Sequence, residues 1–140
     1  MTQEDKDLLL KDLCARLPYG VIVREFFENG QIDINPIDCG FYYILDHTDK
    51  VRPYLRPLSS MTEEESAELS NIISEWFDKE LFYLTEEPFL EYALSRINYS
   101  INPLLFDWLN KNHFDYRGLI PKGLALAVSE SNNPYKTLKA

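Results

Sequence analysis

The chain has 140 residues, 45% hydrophobic and 26% charged, with a net charge of −9, which suits one globular domain able to bury its own core. That acidity repels phosphates and disfavours direct nucleic-acid binding. No stretch approaches the roughly 20 apolar residues that a membrane span needs.

In chain order, the opening MTQEDKDLLLKDL is acidic and lacks a basic region leading into an apolar run. No signal peptide is expected, and the expected compartment is the cytoplasm. Residues 2–17 are expected to be helical: Thr2 and Asp5 make a cap-like start, and Leu9, Leu10, Leu13, Cys14 and Leu17 form one stripe. Asp7–Lys11 and Asp12–Arg16 are acid-first i,i+4 pairs. Cys14 reads as a small buried hydrophobe, and with Cys39 it makes no metal or redox spacing.

Residues 20–38, GVIVREFFENGQIDINPID, read as two strands joined by a type I′ turn at Asn29-Gly30. Alternation along that run places Ile32 and Ile34 on a core face. FYYIL, residues 41–45, reads as a third strand, Asp46-His47-Thr48-Asp49 as a turn, and VRPYLRPL as a fourth strand. Pro53 has no N–H to donate, which assigns that strand to an edge.

Residues 62–82 are expected to form a helix with a Thr62/Glu65 capping box and a buried stripe of Leu69, Ile72, Ile73, Trp76 and Phe77. Residues 85–99 are ambiguous. Asn102-Pro103 opens a short helix to residue 112, GLALAV gives a last strand, and residues 129–140 read as a frayed tail. The sum is a single α+β domain over residues 1–140. It has a small antiparallel sheet or SH3-like barrel of three or four strands in residues 20–58, packed with three or four helices.

The segment 61–95 holds ten acids and one lysine, so it carries an excess equal to the whole net charge. It reads as a solvated face. Phosphate loops, zincin helices, nucleophile elbows and dinucleotide fingerprints do not occur. Neither His47 nor His113 has ligands at a recognised metal spacing, so no metal or cofactor is expected. Two groups of candidate binding residues remain. Arg52, Tyr54 and Arg56 alternate along one strand face, where they can bind an anion or a base, or clamp Glu63, Glu64 and Glu65. His113, Asp115, Tyr116 and Arg117 cluster where the short helix ends. They read as a structural corner, with ligand binding or acid–base chemistry as the alternative if a cleft and a nucleophile join them.

Two blocks, VRPYLRPLSSMTEEE (51–65) and DWLNKNHFDYRGLIPKGLAL (107–126), resemble paired blocks in short proteins of anaerobic gut bacteria and their phages and mobile elements. The likeness covers about a quarter of the chain, and the chain departs from those proteins at Pro121 and in its tail. The resemblance implies a cytoplasmic accessory protein and brings no activity, cofactor or catalytic residue with it. The leading expectation is therefore a non-enzymatic protein-interaction module with an unspecified protein partner. An acidic decoy that mimics nucleic acid and binds a basic host protein is the second. A small enzyme or ligand-binding protein centred on His113, Asp115 and Arg117 is the third.

Overall fold

The computed structural model describes residues 1–37, 47–77 and 103–137; for residues 73–77, Pro103 and Thr137 it describes the backbone alone. Cys39, the expected strand FYYIL, the ambiguous segment 85–99 and the side chain of Trp76 lie outside the described residues.

Helix α1 spans Gln3–Arg16 and starts as expected, with the Asp5 N–H donating to Thr2 Oγ1 at 3.1 Å. Its buried residues are Leu9, Asp12, Leu13 and Arg16, a stripe turned by about one residue from the apolar one. Cys14 is exposed rather than buried, because the helix turns a charged pair inward in its place.

Strands β1 (Ile22–Phe26) and β2 (Ile32–Pro36) form the expected antiparallel hairpin. Its connection differs from a two-residue type I′ turn. The Gly30 N–H donates to the Phe27 carbonyl and the Phe27 N–H to the Gln31 carbonyl, which makes a three-residue loop. Gly30 alone takes positive φ, at 85°. Asn29 instead accepts the Gln31 N–H on its side chain at 2.9 Å, as asparagine does in turns.

Strand β3 (Val51–Leu55) pairs antiparallel with β1, and β4 (Leu126–Ala127) pairs with β3 in parallel, giving the order β2-β1-β3-β4. The sheet is therefore mixed and open, neither purely antiparallel nor a barrel. Nor is β3 an edge. Because the Phe27 N–H donates to the Gln31 carbonyl and the Ile37 N–H to the Val21 carbonyl, odd-numbered positions of β1 face β2 and even-numbered ones face β3. Pro53, opposite Val23, consequently turns its missing donor away from β1. The β4 ladder on that other flank begins only at Tyr54, so the proline forfeits no ladder bond.

One core lies between α1 and the sheet. Leu9 and Leu13 meet Val23, Val51 and Leu55, with Leu119, Leu124 and Ala125 closing it. A second lies between α2 (Glu63–Phe77) and α3 (Pro103–Lys111), built from Leu69, Leu105, Phe106, Leu109 and Phe114. The capping box of α2 is complete: the Glu65 N–H donates to Thr62 Oγ1 at 3.1 Å, and the Thr62 N–H to Glu65 Oε1 at 3.0 Å.

The tail is not frayed through residue 137. Helix α4 (Pro134–Thr137) docks on the sheet with Pro134 buried and Tyr135 half-buried. Its hydroxyl accepts the Ile22 N–H at 3.1 Å and donates to the Tyr54 carbonyl at 2.6 Å. Ile22 and Tyr54 are the next partners in the β1–β3 register, so the phenol stands in for a ladder bond. Residues 138–140 lie outside the described residues.

Candidate functional site

The segment 110–120 closes α3 with a left-handed cap. The His113 N–H donates to the Asn110 carbonyl and the Phe114 N–H to the Leu109 carbonyl, a paired arrangement that satisfies the loose carbonyls of a helix end. His113 takes φ of 62°, the one positive value at a non-glycine among the described residues, where glycine is the usual occupant. The apolar contact that accompanies such caps is present, since Leu109 and Phe114 share a core. The imidazole stacks on the Tyr135 ring at 3.9 Å and 14°.

The corner also extends the sheet. The Arg56 N–H donates to the His113 carbonyl at 2.7 Å, and the Asp115 N–H to the Arg56 carbonyl at 2.9 Å. One flank of β3 is thus taken in turn by β1, by the Tyr135 hydroxyl and by residues 113–115. Burial raises the Tyr135 phenol well above the ordinary tyrosine range, the Ile22 amide pulling the other way.

Each polar side chain of the corner has a defined task. Asp115 is buried and accepts the Leu119 and Ile120 N–H groups, each at 2.9 Å, which holds the reversal before the chain re-enters the core. Arg117 does not pair with Asp115. It donates to Asp12 Oδ1 at 2.8 Å, while Arg16 Nε donates to Asp12 Oδ2 at 2.8 Å. Asp12 and Arg16 are fully buried, and Arg16 also donates to the Phe114 carbonyl. Tyr116 is flanked by both cations, with Arg117 4.6 Å and Arg16 5.3 Å from its ring centroid. Its hydroxyl donates to Asn110 Oδ1 at 2.8 Å. Burial raises this phenol too, against the pull of the two guanidiniums. The node can orient and brace α1 against the corner. Arg16 Nη1 is buried without a hydrogen-bond partner among the described residues.

Arg52, Tyr54 and Arg56 do share a strand face, but each is engaged. Tyr54 is buried at 2% exposure. Arg52 donates to the carbonyls of Gly123, Thr48 and Val51, and burial lowers its pKa. Arg56 makes a two-pronged pair with Glu65, both distances 2.6 Å, and lies 4.2 Å from the Phe114 ring centroid. The clamp expected from the sequence therefore involves one arginine and one of the three glutamates. Hydrogen bonding from Arg56 holds the Glu65 carboxyl below the usual glutamate range, with burial opposing it.

Sequence reasoning missed two features. Asp12 and Arg16 carry an i,i+4 signal, but nothing in their spacing marks the pair as buried. Phe26, Ile32 and Ile34 are 37%, 44% and 38% exposed, although alternation placed the two isoleucines inward. Phe26 pairs with Ile32 and Arg24 with Ile34, so these side chains share one hairpin face, with Arg24 5.0 Å from the Phe26 ring centroid. The sheet's buried face is the other one, carried by Val23, Val51 and Leu55.

Among the described residues, no group of three or more His, Cys, Asp or Glu is placed to hold a metal, and no helix is long and apolar enough to cross a membrane. In comparisons with known proteins, no family model matches the chain, and no curated protein or solved structure matches it.

Proposed function

We propose that the chain is a non-enzymatic protein-interaction module whose contact surface is the outward face of the β1–β2 hairpin. The observation that carries this reading is the adjacency of Phe26, Ile32 and Ile34, three large apolar side chains more than a third exposed on two paired strands. Contiguous apolar surface of this kind marks interaction sites more often than isolated exposed residues do. The corner supports the same reading, since Asp115 and Arg117 are committed to backbone amides and to Asp12. Action in the cytoplasm, as an accessory protein of phage or mobile-element origin, rests on the resemblance of residues 51–65 and 107–126. The acidic-decoy reading is weakened by two of the carboxylates it would use: Glu65 is held by Arg56, and Glu68 accepts the Trp108 indole N–H at 3.0 Å.

The test is chemical cross-linking in a lysate of the native host, comparing wild type with the Ile32→Lys/Ile34→Lys variant. A discrete partner captured by wild type and lost with the variant is the expected result. Equal capture by both would overturn the assignment of this face, and no capture by either would overturn the module.

A further inference from the structure

The hairpin offers an edge as well as a face. In β2 the odd-numbered residues exchange hydrogen bonds with β1, as the Phe27–Gln31 and Ile37–Val21 bonds fix. The N–H groups of Ile32 and Ile34, and the carbonyls of 32, 34 and 36, therefore point away from the sheet. No described strand pairs with that flank. Such a row of backbone groups is a template for an added strand. Pro36 has no N–H, so the row is short, and side-chain contacts must supply much of any affinity.

Those contacts differ on the two faces. One face presents Ile32 and Ile34 with Phe26 beside them. On the other, Asp33 stands directly across from Glu25, and like charges so opposed destabilise a sheet. Asp33 takes a hydrogen bond from Gln31 Nε2 at 3.1 Å, a neutral donor, and no cation pairs with it among the described residues. The chain's net charge of −9 adds a long-range attraction for cations and opposes pairing with a second copy.

Resting on the interaction-module reading, we infer that β2 accepts an extended segment of another protein as an added edge strand, and that this segment alternates apolar with basic side chains. The apolar residues lie along Ile32 and Ile34, and a lysine or arginine sits beside Asp33.

The probe is a short peptide alternating valine and lysine, titrated into the full chain at low salt and followed by backbone amide shifts. Saturable binding with shifts at residues 32–36 is expected. A peptide of the same composition with its valines and lysines in separate blocks should bind about tenfold more weakly or worse, a difference of about 1.4 kcal/mol. Ile34→Pro removes an outward N–H that β1 does not use and should abolish binding. Asp33→Lys should weaken binding and keeps the test decisive if the proline variant does not fold. Equal binding of both peptides, or binding indifferent to Asp33→Lys, would overturn the inference, as would Ile34-dependent dimerisation without peptide binding. If the peptide fails while the Ile32→Lys/Ile34→Lys variant still loses a captured partner, strand addition falls and the interaction module stands.

Discussion

Arg117 reaches Asp12, a residue of the first helix, and leaves the nearer Asp115 to the backbone. One buried carboxylate is thus shared by two arginines from opposite ends of the chain. Removing one member of such a group strands the others away from water, which costs about 3–5 kcal/mol. Asp12→Ala should lose about that much, and Arg117→Ala, whose side chain is partly exposed, about 1–3 kcal/mol. In urea unfolding, the Asp12→Ala and Arg117→Ala effects should couple by about 1 kcal/mol or more, whereas Asp115→Ala and Arg117→Ala should be nearly additive. Coupling confined to the second pair would contradict the observed partners.

His113 holds a left-handed backbone and a stacked ring at once. His113→Gly relieves about 1 kcal/mol of backbone strain and gives up a ring contact worth about 0.5–1.5 kcal/mol, so its stability should stay close to wild type. His113→Ala keeps the strain and loses the ring, and should be about 1 kcal/mol less stable than the glycine variant. Thermal melts showing alanine equal to or above glycine would contradict the cap.

Tyr135→Phe preserves the ring but removes the hydroxyl that joins Ile22 to Tyr54. Two buried backbone groups then lose their partner, at about 1–3 kcal/mol. Hydrogen exchange at the Ile22 amide should accelerate. Unchanged stability together with unchanged exchange would contradict the bridging role.

Glu65 sets part of the acid response. Its folded pKa is depressed by Arg56, so its contribution is complete above the unfolded value of about 4.3 and is lost as pH falls through the lower folded value. Glu65→Gln should be less stable than wild type at neutral pH, and the gap should narrow as pH drops below about 4. A gap of constant size down to about pH 3 would contradict the ion pair.

The elements most legible in the sequence are those with local chemistry: the Thr2 and Thr62 caps, the helix start at Pro103 and the hairpin around Asn29-Gly30. Local signals could not say which face of an element points inward, because that depends on what packs against it. In α1 the apolar and charged stripes overlap, and Arg117, distant in sequence, decided in favour of burying Asp12 and Arg16. In β2 the alternation was real, but the core formed on the face of Val23 and Val51. Tyr135 reads as part of a frayed tail because nothing local reveals a gap in a ladder between Ile22 and Tyr54.

The β1–β2 hairpin holds Phe26, Ile32 and Ile34 outside the core, and equilibrium unfolding of the Ile32→Lys/Ile34→Lys variant tests this most directly. With both isoleucines exposed, stability should stay within about 1 kcal/mol of wild type, as for ordinary surface substitutions. A loss of about 4 kcal/mol or more, the scale of removing core isoleucines, would show that this face is buried in the folded protein and would contradict its assignment as a contact surface.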